Sequence, residues 1–79
     1  MNKTSGEKLK ELRLEKGIGL REVGRKSGLG YAYIYRLEND DRKNPTIPTI
    51  NKLAKGLEVS ALEIAKIYGL EVWKCFGYG

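Results

Sequence analysis

The stretch GLREVGRKSGLGYAYIYRLEN, residues 19–39, decides how this chain is read. Its first half has the pattern of a short amphipathic helix, Leu20 to Ser27, with Val23 and Gly24 facing inward. Gly28 stops that helix, and a second helical segment begins after Gly30 and runs to about Asn39. The second segment holds three tyrosines in five residues: Tyr31, Tyr33 and Tyr35. Ile34 and Leu37, three apart, share one side of a helix and form the pair able to pin it to a core. Tyr31 and Tyr35, four apart, fall on a different face, and Ala32 and Arg36 are related by the same spacing.

Six positions in this stretch keep the offsets of two short helices crossing steeply through a tight turn. Position 24 must be small, because the following helix passes close over it. Gly28 supplies a left-handed turn conformation without a Cβ penalty. Leu29 plugs the core beneath the corner, and Ile34 and Leu37 hold the second helix down. The predicted unit is a helix-turn-helix.

Outward from this unit, the rest of the chain predicts three more helices and no sheet. Thr4 and Glu7 have the spacing of a capping box that opens a first helix, with Leu9 and Leu12 as its buried stripe. Gly17 ends that helix and Ile18 packs the turn. The charged loop DDRKNP, residues 40–45, leads to Thr46, which can cap a fourth helix with Pro48 tolerated in its first turn. Ile47, Ile50, Leu53, Ala54 and Leu57 form its apolar face. Ser60 and Glu63 repeat the capping spacing for a fifth helix, with Leu62, Ala65, Ile67 and Tyr68 toward the core. The expected fold class is all-α, with residues 1–69 as one domain. Residues 70–79, apolar and aromatic, are read as a tail that covers the core or forms a dimer seam.

Composition narrows the function classes. The 79 residues include no histidine and one cysteine, Cys75. The commonest general base and metal ligand is therefore missing, and a lone thiol builds neither a zinc site nor an internal disulfide. The loop DDRKNP lacks the central glycine and closing glutamate of a calcium loop. No nucleophile–base pair or phosphate loop is present, so the expectation is no enzyme, no metal and no cofactor. No apolar run is long enough to span a membrane and no signal segment stands near Met1, which points to the cytoplasm. The net charge is +5, and its excess lies in the middle: residues 18–56 carry eight basic side chains against four acidic ones. Such a patch attracts polyanions by neutralising phosphates and releasing counterions.

The segments GEKLKELRLEKGIGLREVGRKSGLGYAYIYRLEN and NPTIPTINKLAKGLEVSALEI together resemble the phage repressor and Cro type of helix-turn-helix domain, the bacterial regulator family also named for the xenobiotic response element. The likeness runs from Gly6 to about Ile64. It implies the five-helix, lambda-repressor-like fold, binding to double-stranded operator DNA, and a homodimer at least on DNA. It also implies that Arg13 and Glu38 form a structural ion pair joining the first and third helices. The chain departs from the family pattern at several places: Gly19 stands where Ser or Thr caps the second helix, Leu20 replaces a common Gln, and Gly24 replaces Ala.

On that reading the third helix enters the major groove, and Tyr31, Ala32, Tyr35 and Arg36 project toward the bases. Arg36 suits guanine O6 and N7, and Ala32 suits a thymine methyl. Tyr33 packs its ring at the boundary and turns its hydroxyl to a phosphate. Arg21, Asn39, Arg42, Lys43 and Asn44 are the remaining phosphate contacts expected, with Arg25 a further candidate. The function expected is a sequence-specific transcriptional regulator, a repressor by preference. The competing expectation is an adaptor or antitoxin that binds a protein partner through the apolar tail.

Overall fold

A computed structural model describes residues 3–69 of the chain. Five helices follow one another: α1 (Ser5–Glu15), α2 (Leu20–Ser27), α3 (Tyr31–Glu38), α4 (Ile47–Leu57) and α5 (Ala61–Ile67). No strand occurs among the described residues. None of their helices is long and apolar enough to cross a membrane. The tail at residues 70–79 lies outside the described residues, so both readings of it rest on sequence.

The helix starts obey their local chemistry. Thr4 accepts from the Glu7 N–H at 3.1 Å, and the Thr4 N–H donates to Glu7 Oε1 at 2.8 Å, a complete capping box. Thr46 caps α4 through the Thr49 N–H, with Pro48 in the first turn. At α5 the box is half made: Ser60 accepts from the Glu63 N–H. Gly19 offers no side-chain cap to α2, as its lack of a side chain dictates.

The core is one cluster fed by every helix: Leu9 from α1, Val23 from α2, Ile34 and Leu37 from α3, Ile50, Leu53, Ala54 and Leu57 from α4, and Ile64 from α5. Burying a side chain of this size contributes about 1.5–3 kcal/mol, so this cluster is what holds five short helices together. One expectation about the core is corrected. Leu62 is 44% exposed, whereas Ile64 is fully buried. With Ser60 as cap, Ile64, Ala65 and Tyr68 share the inward side of α5, and Leu62 is turned away from it.

Two close approaches set the angle between α2 and its neighbours. A Cβ on Gly24 would stand 2.6 Å from the Tyr31 backbone nitrogen, so α3 passes directly over that residue. A Cβ on Gly56 would stand 2.8 Å from Ser27 Cβ, where α4 crosses α2. Between α2 and α3 the chain turns at Gly28, with φ +79°, and its N–H donates to Gly24 O. The Ser27 hydroxyl accepts from the Leu29 N–H at 3.2 Å and fixes the corner. The helix-turn-helix read from residues 19–39 is thus present with its predicted boundaries.

Candidate nucleic-acid interface

The face presented by α3 follows from its register. Ile34 and Leu37 are 1% and 0% exposed, and they leave the opposite side of an eight-residue helix to solvent. Tyr31 and Tyr35 are 47% and 57% exposed, and Ala32 and Arg36 are exposed beside them. These four side chains line a single surface hollow with Leu20 of α2 and Asp41 of the following loop. Tyr33 is half-buried and packed against the core, as its position between the two faces requires.

Asp41 reaches the hollow because of how α3 ends. The Asp41 N–H donates to Arg36 O at 2.9 Å and the Asp40 N–H to Leu37 O at 3.2 Å, while Asp40 takes φ +62°. This is a Schellman closure with a non-glycine residue in the left-handed position, a conformation that costs roughly 1–2 kcal/mol. The Asp40 carboxylate offsets part of that cost by accepting from the Gly6 N–H at 3.0 Å, which ties the end of α3 to the start of α1. From the sequence, Asp41 is only part of the charged loop DDRKNP. Its five-residue offset from Arg36, the span of a Schellman bond, is the one signal in the sequence that could have placed it.

The other candidate residues divide into groups. Arg21 and Arg25 are exposed on α2, and the Arg21 guanidinium lies 5.0 Å from the centre of the Tyr31 ring. That cation–π contact holds Arg21 at the edge of the hollow. The Asn39 amide donates to Tyr35 O at 2.9 Å, leaving one of its hydrogens for another acceptor. Arg42 is exposed, and its N–H also donates to Arg36 O. Lys43 and Asn44 are exposed but line a different pocket, with Thr4, Ser5, Asp40 and Tyr68. The structure therefore brings Tyr31, Ala32, Tyr35 and Arg36 together and sets Lys43 and Asn44 apart from them.

Behind this face lies a buried ion pair. Arg13 Nε donates to Glu38 Oε2 at 2.6 Å and Arg13 Nη2 to Glu38 Oε1 at 3.1 Å, with both side chains nearly free of solvent. Arg13 Nη1 donates further to Ile18 O at 3.0 Å. The bidentate fork locks α1, the turn after it and the last residue of α3 into one unit. The Arg13–Glu38 pair is present as the resemblance implied. Among the described residues no group of acidic, histidine or cysteine side chains could hold a metal ion.

Comparison with known proteins agrees with this geometry. Residues 9–64 match the family described as helix-turn-helix. The chain is 41% identical over 64 residues to y4dJ, an uncharacterized HTH-type transcriptional regulator of Sinorhizobium fredii, covering 81% of this chain and 82% of that protein. It is 34% identical over 55 residues to the HTH-type transcriptional regulator SinR of Bacillus subtilis, covering 70% of this chain and half of SinR. A crystal structure of SinR in complex with DNA superposes with a TM-score of 0.70 at 31% identity, covering 77% of this chain and 97% of that one. A tyrosine-to-phenylalanine mutant of the restriction-modification controller protein C.Esp1396I gives a TM-score of 0.68 at 33% identity, covering 81% and 84%. The chain belongs to the Cro/C1-type helix-turn-helix family of transcriptional regulators, the xenobiotic-response-element family.

Proposed function

We propose that this protein is a sequence-specific regulator of transcription that inserts α3 into the major groove of double-stranded DNA and acts as a repressor in the cytoplasm. One observation carries the reading: α3 buries Ile34 and Leu37 completely while presenting Tyr31, Ala32, Tyr35 and Arg36 to solvent in one hollow. A structural helix would hide its aromatic rings. This one keeps two phenols and a guanidinium outside, where base edges and phosphates can meet them.

In that pose Arg36 reads guanine O6 and N7 through its fork of donors. Arg21 at the edge of the hollow, Arg25 farther along α2, the Tyr33 hydroxyl, Asn39 and the loop residues Arg42, Lys43 and Asn44 meet the phosphates on either side. Arg13 and Glu38 fix the angle of α3 from behind. That the relative SinR has been solved in complex with DNA supports DNA as the partner. Two copies related by a two-fold axis place their α3 helices about 34 Å apart, one turn of DNA, on a near-palindromic site.

Selection from a pool of random duplexes with the purified full chain tests the reading. Enrichment of one motif repeated in inverted orientation, with centres roughly 10 base pairs apart, is the expected outcome. Recovery of duplexes with no shared motif would refute sequence-specific binding.

A further inference from the structure

We infer that Asp41 is a specificity-determining residue: its carboxylate accepts a hydrogen bond from the N4 amino group of a cytosine in the major groove and penalises duplexes that offer none. This rests on the DNA-binding reading and places a reader of bases outside α3.

A carboxylate is out of place on a surface that meets phosphates. The exposed guanidiniums of Arg21, Arg36 and Arg42 favour such a surface, whereas a negative charge within a Debye length of the backbone, about 10 Å, lowers affinity for every sequence. Asp41 nonetheless lines the hollow beside Ala32, Tyr35 and Arg36. It does not arrive there as the loose end of a loop. Its N–H donates to Arg36 O at 2.9 Å, the Arg42 N–H donates to the same oxygen at 3.3 Å, and the preceding residue is tied to Gly6 through the Asp40 carboxylate. The Asp41 side chain is exposed, and its charge is not spent within the protein. The ion pairs among the described residues belong to Lys3, Arg13 and Lys26, and none engages Asp41. The fold therefore holds an acceptor without a partner next to the base-reading face.

Three of the four bases suit such an acceptor poorly. Guanine shows N7 and O6 and thymine shows O4, all of them acceptors that repel a carboxylate. Adenine offers its N6 amino group but sets the N7 acceptor beside it. Cytosine shows the N4 amino donor alone. Arg36 has the opposite requirement and suits guanine, so the two charges on the hollow match the row of groups across one G·C pair: two acceptors, then a donor. The repulsion falls on all DNA, while the hydrogen bond forms only at cytosine. One carboxylate thus widens the gap between right and wrong sites from both sides.

The test uses the full chain and the tightest duplex recovered from a random pool. Each cytosine is replaced singly by N4-methylcytosine, which keeps Watson–Crick pairing but puts a methyl where the groove-facing N–H was. Affinity is expected to fall about tenfold at one cytosine in each half-site, the scale of one lost base contact. In Asp41→Ala the ratio between the two cytosines drops to about one, while affinity for random duplexes rises about two- to threefold because one repulsive charge has gone. Asp41→Asn keeps an acceptor without the charge, so it shares the gain on random DNA and retains part of the preference for unmodified cytosine. A residue that only shaped the loop would instead lose affinity on both kinds of duplex when changed to alanine. Equal penalties in wild type and Asp41→Ala at every cytosine overturn the contact and leave sequence-specific binding standing. An alanine variant that binds random DNA no better than wild type overturns it as well. If no duplex is preferred over random DNA, the DNA-binding reading has failed and takes this inference with it.

Discussion

At the scale of single residues, charge is used in two opposite ways. Arg13 and Glu38 are buried, and Arg13 spends its hydrogen bonds inside the protein, on Glu38 and on Ile18 O. Arg36 and Arg42 stay in solvent and offer their donors outward. Removing one member of the buried pair strands the other, so Glu38→Ala should lower stability by about 3–5 kcal/mol. Denaturant unfolding reads that loss. Arg36→Ala should weaken binding at one base position by about 1–3 kcal/mol, leaving affinity for random DNA nearly intact. Arg42→Ala should weaken binding to every sequence and reduce the salt dependence of the binding constant by about one counterion. Measuring both variants on selected and random duplexes across a salt series separates the base reader from the phosphate clamp.

At the scale of elements, the angle of α3 depends on what is missing from α2. Glycine lowers helix stability by about 0.5–1 kcal/mol relative to alanine, so propensity alone argues that Gly24→Ala should stabilise α2. The structure argues the reverse. The added Cβ would fall 2.6 Å from the Tyr31 nitrogen, which is backbone at the start of α3 and cannot turn aside. Overpacking of this kind costs about 1–3 kcal/mol, which exceeds the propensity gain. Gly24→Ala should therefore lower the melting temperature and weaken DNA binding, because α3 must move outward to fit the methyl. A raised melting temperature with unchanged binding would show that α3 has slack at this crossing. The end of α3 is under similar control, since the Schellman closure at Asp40 and Asp41 brings the loop back beside Arg36.

At the scale of the whole molecule, α5 closes the core and brings one ionisable group with it. The Tyr68 hydroxyl is buried with no hydrogen-bond partner among the described residues. Burial, and after it the nearby carboxylate of Asp40, pushes the phenol well above its ordinary value near 10. A phenol whose folded pKa is raised contributes its stability fully below the unfolded pKa and loses it as pH rises beyond that. The protein should therefore lose stability above about pH 10, where the unfolded chain can ionise this tyrosine and the folded chain cannot. Tyr68→Phe should remove that part of the alkaline loss while leaving stability near pH 7 equal or slightly higher. Parallel thermal melts of the two proteins from pH 7 to 11 test this; curves that stay parallel throughout would contradict the burial of the hydroxyl.

The sequence by itself determined the five helices, because their signals are local: a Thr4–Glu7 box, a Thr46 cap before Pro48, a glycine at position 28, and an apolar spacing of three between Ile34 and Leu37. It also placed Tyr31, Ala32, Tyr35 and Arg36 outside, since fixing the inward pair of a short helix fixes its outward face. The Arg13–Glu38 pair was legible through resemblance, as periodicity alone gives no hint that residues 25 apart will meet. Only the tertiary structure decided that Leu62 turns outward and Ile64 inward, because both are apolar and the choice depends on which side of α5 the other helices occupy. Only it joined Leu20 and Asp41 to the face of α3, since the hollow is bounded by three segments whose approach is set by the core and by the contact at Gly24. Local bonding is written along the chain, whereas a surface shared by separate segments exists only once packing has brought them side by side.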